Sequence, residues 1–285
     1  MSLHPKIDTP SKIKMSTQEM SFWDHLEELR WILFRVVIAL LVFAVASFIF
    51  MPWIFDTIIL GPAKSDFFLY EYMCKLSQMA PYFPDFCGQS LTLDMINIDL
   101  TAQFFRHIST SFWVAVIFIC PYILFEVWRF VAPALYDNEK KNVRWVFLLG
   151  SIMFFIGCSV GYCVIFPMAL QFLYTYSLSD VIHNQLSLDS YMDNFLMLVL
   201  IMGLVFEMPL ISWLLSQFGI LKKSFFKKYR RHAIVALTFA AAIITPTGDP
   251  FTLALVFFPL YGLYELSIFF VKADDPEEDL PATLS

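Results

Sequence analysis

Six stretches of this chain are so poor in charge that they constrain the fold before anything else does. Residues 36–60, 112–131, 145–170, 195–218, 233–245 and 251–271 are almost wholly apolar. About 20 such residues suffice to cross a ~30 Å hydrocarbon core as a helix. A soluble core is the competing explanation, but apolar residues make up 59% of the 285 and charged residues only 15%, which favours lipid. The expected class is therefore an all-α integral membrane protein with six transmembrane helices.

The basic residues give that array a direction. Lys6, Lys12, Lys14, Arg30 and Arg35 lie at the amino end, Lys140, Lys141 and Arg144 follow the second span, and Lys222, Lys223, Lys227, Lys228, Arg230 and Arg231 follow the fourth. The intervening connections hold only Lys64, Lys75 and Arg106. Basic residues near span ends stay in the cytoplasm, so both termini are expected there. These loops are explained by topology, and nucleic-acid binding has no separate support. The net charge of −6 says little, because it averages over two aqueous phases. Residues 1–20 read as a polar cytoplasmic arm without the apolar stretch of a removable signal peptide. Residues 21–271 form the membrane domain, and 272–285 an acidic, solvated tail.

Along the chain, Ser21-Phe22-Trp23-Asp24 has the form of a capping box. The spacing of Phe22, Leu26 and Leu29 predicts an amphipathic turn in the interface before the chain turns inward. Residues 61–105 are long for a structureless connection, which predicts an ordered cap on the outer face. Cys74 and Cys87 both fall in that loop, where disulfides persist; a Cys74–Cys87 bridge and two free thiols are both open at this point. Pro52, Pro121, Pro167, Pro209 and Pro259 predict kinks, since each lacks a backbone donor. The fifth span is short: residues 232–245 reach only about 21 Å as a helix. The chain shows no internal repeat and no evident helix break.

Four ordered segments carry a family resemblance: His25-Leu26-Glu27-Glu28-Leu29-Arg30, then Phe125 through Tyr136 with its Phe130, Pro133 and following Glu139, then Phe206-Glu207-Met208-Pro209, then Thr245-Pro246 with Asp249. Together the chain resembles TatC, the multi-span receptor of the twin-arginine translocase. The resemblance implies a concave, cupped six-helix fold in the bacterial cytoplasmic (inner) membrane. It implies recognition of twin-arginine signal peptides on folded cargo, small single-span TatA/TatB-type partner subunits, more than one copy in the complex, and transport driven by the proton gradient. Glu28 and Glu139 match the family's arginine-recognising carboxylates, and Arg30, Phe130, Pro133 and Tyr136 complete that patch. A guanidinium fork suits carboxylate acceptors, at about 1.5–3 kcal/mol per charged hydrogen bond. Trp128 and Tyr136 are equally explained as an interfacial aromatic belt. Two departures stand out. The family often has a second arginine where Ile32 stands, with Arg35 one turn further on, and many relatives have a neutral Gln where Glu126 stands.

Glu207 is a mid-span carboxylate whose insertion costs at least ~2.5–3.5 kcal/mol. It matches the family's intramembrane glutamate and is expected to face the concave interior; the alternative is a protonated structural acid. Thr245, Pro246 and Asp249 match a hairpin that helps receive a partner helix, with Asp249 equally an ordinary turn residue. Glu265 is a further intramembrane carboxylate. Among rival functions, a proton- or ion-coupled transporter using Glu207 and Glu265 would call for broken helices or internal symmetry. No metal-ligand spacing, cofactor motif or catalytic constellation is evident, so no enzyme activity is expected.

Overall fold

The computed structural model describes residues 22–64, 67–79, 95–131, 143–179, 184–245 and 248–271. Helix dominates. The first helix, α1 (Phe22–Ile54), runs unbroken because nothing between Phe22 and Pro52 interrupts a helix-forming sequence. At about 1.5 Å per residue it is about 50 Å long, well beyond the hydrocarbon thickness. The separate interfacial turn expected at residues 22–29 is thus corrected: that segment is the first part of the long helix. A π-turn (Phe55–Ile59) and a 3-10 turn (Gly61–Ala63) end it.

The connection that follows holds α2 (Phe68–Met79) and β1 (Met95–Ile96). Next come α3 (Ala102–Val131) and α4 (Val143–Val160), then a π-turn (Gly161–Ile165) that leads into α5 (Phe166–Thr175). β2 (Leu186–Ser187) pairs with β1 in parallel, Met95 opposite Leu186, and ties two connections together. The remaining helices are α6 (Leu188–Val205), α7 (Met208–Gln217), α8 (Lys223–Lys228), α9 (Arg230–Ile244) and α10 (Pro250–Phe270). Positive φ occurs at Gly219 (72°), where the chain leaves α7, and at Gly248 (60°), before α10, as suits residues without a Cβ.

Among the described residues, five segments hold helix long and apolar enough to span a membrane, beginning with α1 and followed by Ala102–Phe130, Leu148–Thr175, Leu188–Gln217 and Pro250–Phe270. α9, which covers the short fifth segment expected from the sequence, has 15 residues and reaches only about 22 Å. Of the prolines, Pro52, Pro121 and Pro259 lie inside continuous helices, while Pro167 and Pro209 stand at helix restarts. The restart at Pro209 corrects the reading of unbroken spans. α6 ends at Val205, and Phe206 and Glu207 form a turn before α7.

α1 packs on α3, α3 on α4 and α6, α4 on α6, and α10 on both α7 and α9. Only 11% of the first span's apolar window is buried, against 50% for Leu188–Gln217, so α1 is a peripheral helix and α6–α7 central. Lipid tails provide no hydrophobic drive for helix pairing, so close packing must hold the helices together. Glycines permit it between α4 and α6. A Cβ at Gly157 would stand 2.5 Å from the Met202 carbonyl oxygen, and one at Gly203 2.6 Å from Cys158 Sγ. Gly157 and Gly161 also form the small-xxx-small spacing that such contacts favour.

Carbonyls freed where α1 ends are covered by donors from elsewhere. Tyr162 donates to the Ile58 carbonyl at 2.8 Å, Tyr191 to Ile59 at 2.5 Å and Tyr70 to Pro62 at 2.6 Å. Pro52 lacks the N–H that would serve the Phe48 carbonyl, and His107 Nε2 on α3 bonds to that oxygen at 3.0 Å, its ring stacked on Phe48. On the same face Arg106 binds Asp189 and Asp193, clamping the start of α3 to the start of α6.

Candidate functional site

The end of the array that holds the amino terminus of α1 also holds the carboxyl end of α3. Glu28 there is half-buried, whereas Glu27, Leu29 and Arg30 are exposed. Among the described residues Glu28 has no ion-pair partner. Phe130 is half-buried at the end of α3. Pro133, Tyr136 and Glu139 lie outside the described residues, as do Pro246 and Cys87. Trp128 is buried at 5% exposure and packs against Leu210, Trp213 and Leu214 of α7, so it belongs to a helix contact rather than an aromatic belt.

Deeper in the same seam, Arg35 Nη2 of α1 donates to Glu126 Oε2 of α3 at 3.0 Å. Tyr122, one turn earlier on α3, donates to Glu126 Oε1 at 2.8 Å. Glu126 is only 2% exposed, so both of its oxygens are engaged inside the protein. Burying a carboxylate in a span is costly unless it is paired and hydrogen-bonded, and here it is both. The two sequence departures, an arginine at 35 and an acid at 126, are thus one interaction.

Glu265 is likewise engaged: Arg230 of α9 donates to it at 2.6 Å and Tyr261 at 3.0 Å. Glu207 differs. It is 4% exposed, and among the described residues neither carboxylate oxygen has a hydrogen-bond partner. It sits at the break between α6 and α7, facing Gly150 of α4. Its side chain is enclosed among the described helices.

At the other face, Thr245 is buried and its hydroxyl bonds back to the Ala241 carbonyl at 3.0 Å. Asp249 accepts from the Thr252 backbone N–H at 2.7 Å and so caps α10. That is the turn role its neighbours suggested. Cys74 is disulfide-bonded, while Cys120, Cys158 and Cys163 are free thiols. Sequence reasoning missed Gly150, Gly157 and Gly203 altogether. The Gly157–Gly161 spacing was the available signal for that packing.

The order of these segments can be compared with known proteins. The family model for Sec-independent protein translocase protein (TatC) matches residues 24–259. The chain belongs to the TatC family. A TatC protein from Blattabacterium sp. subsp. Periplaneta americana is 34% identical over 258 residues, covering 90% of this chain and 97% of that one. The Koribacter versatilis TatC is 30% identical over 268 residues, covering 93% and 90%. Among solved structures, a crystal structure of the twin arginine translocase receptor TatC in DDM superposes with a TM-score of 0.70 at 30% identity, covering 87% of this chain and 99% of that one. A second TatC receptor structure gives 0.66 at 30% identity. The chain is thus a membrane-embedded subunit of a protein translocase.

Proposed function

We propose that this TatC protein is the receptor and core of a twin-arginine translocase, binding twin-arginine signal peptides at the face that carries Glu28 and organising single-span TatA/TatB-type subunits around the membrane domain. The supporting observation is the distribution of carboxylates. Glu126 and Glu265 are each held by an arginine, whereas Glu28 at the end of α1 stands without an ion-pair partner among the described residues. It is available to an incoming guanidinium, which a carboxylate can accept through two parallel bonds. Glu139 is proposed as its companion, with Arg30, Phe130, Pro133 and Tyr136 shaping the patch. The basic loops support a cytoplasmic setting for this face and for both termini, with the protein in a bacterial inner membrane.

Glu207, with Thr245, Pro246 and Asp249, is proposed to support partner association on the central and outer parts of the domain. Export of folded cargo then draws on the proton gradient. The transporter alternative gains the break at Phe206–Glu207 but loses Glu265, which Arg230 occupies. Binding of a labelled twin-arginine peptide to the purified full-length protein in lipid nanodiscs, against a twin-lysine control, tests the reading. Preferential binding of the arginine peptide is expected; equal affinity for the two would remove the receptor role.

A further inference from the structure

We infer that Arg35 and Glu126 are positioning residues, whose ion pair fixes the rotational setting of α1 on α3 and thereby where Glu28 is presented. The inference rests on the receptor reading above and deepens it.

Helical geometry sets out the relation. Glu28 and Arg35 are seven residues apart, so they point within about 20° of each other and are separated by about 10.5 Å along α1. Glu126 and Phe130 are four apart and neighbours on one face of α3. The ion pair therefore lies beneath the level of Glu28 and Phe130, two turns below the first and one below the second. Among the spans, α1 packs on α3. Close packing holds α1 against α3 in lipid, and directional side-chain bonds add to it in setting the rotational angle. Side-chain bonds between α1 and α3 are found at Arg35–Glu126 near one end and at His107–Phe48 near the other.

The same geometry excludes Glu126 as a receptor for the incoming peptide. Its two oxygens are taken by Arg35 and Tyr122, and it is 2% exposed. The acid thus acts through α1, by holding Arg35, and not on the ligand.

A double-mutant cycle on peptide binding tests this in the full-length protein in nanodiscs, with helical content and thermal unfolding recorded for every variant. Arg35→Met keeps side-chain length in the seam and removes the pair, as does Glu126→Met. Each should weaken twin-arginine peptide binding by about tenfold, a factor that corresponds to losing one directional contact. Arg35→Met combined with Glu126→Met should lose no more than either alone, because the pair acts as a unit. The charge-swapped Arg35→Glu/Glu126→Arg variant should recover affinity to within about threefold of wild type. Unchanged affinity in the single variants overturns the inference. So do losses that add in the double variant, or a folded swap that does not bind, since each would mean that the side chains act separately. If the swap does not fold, the additivity of the methionine variants decides. A wild-type protein without preference for twin arginine counts against the receptor reading instead, and that outcome is distinct from all of these.

Discussion

Gly150 on α4 leaves the space that the Glu207 carboxylate occupies. A Cβ at position 150 would stand 3.3 Å from Glu207 Oε2 and 2.6 Å from Leu210 Cδ2. The mid-span acid is thereby seated against a bare backbone, with no donor supplied to it among the described residues. Gly150→Val should force α4 and α7 apart at this level. Overpacking of this kind costs about 1–3 kcal/mol. A lowered unfolding temperature in detergent, with the protein still inserted, is the expected result; an unchanged one would show that Leu210 yields freely.

Glu207 itself should tolerate amidation. Glu207→Gln keeps the shape and hydrogen-bonding polarity of the side chain, so insertion, twin-arginine binding and transport should stay near wild type. Glu207→Ala should also insert and bind the peptide, but with reduced transport and partner recovery. Transport assays and partner co-purification on both variants check this, and wild-type behaviour of the alanine variant would reduce Glu207 to a structural residue.

Recognition should depend on both proposed carboxylates. Glu28→Ala and Glu139→Ala should each weaken twin-arginine peptide binding by about tenfold or more, since a charged hydrogen bond is worth about 1.5–3 kcal/mol. Thermal stability should change little, because Glu28 supports no ion pair among the described residues. Equal affinity in both variants and in the double variant would show that the arginines are read elsewhere.

Tyr191 offers a test of the covered carbonyls. Its hydroxyl reaches the Ile59 carbonyl from a site 1% exposed. Tyr191→Phe strands that buried acceptor at a cost of about 1–3 kcal/mol. The unfolding temperature should fall, whereas Ser159→Ala, at an exposed bond within one helix, should leave it nearly unchanged.

For Cys74, which is disulfide-bonded, Cys87 is the proposed partner. Alkylation without reduction, followed by peptide mass spectrometry, should yield one linked species containing both residues. A free thiol at Cys87 would require another pairing.

Much of the architecture is legible in the residue order because a bilayer is a severe solvent. Apolar runs mark the spans, the shortness of residues 232–245 is plain from counting, and the motif segments around Glu28, Trp128, Glu207 and Thr245 suffice for the family. What the order of residues does not carry is the pairing across helices. Glu126 and Arg35 are 91 positions apart and each is merely unusual alone; only the packing of α1 on α3 makes them one interaction. The same holds for Glu265 with Arg230, for Trp128 under α7, and for Gly150 beneath Glu207. Hydropathy is a sum over neighbours in the chain, so the sequence by itself determines which segments enter the lipid. Rotation and depth of each helix depend on contacts between segments far apart in the chain, and those only the tertiary structure decides.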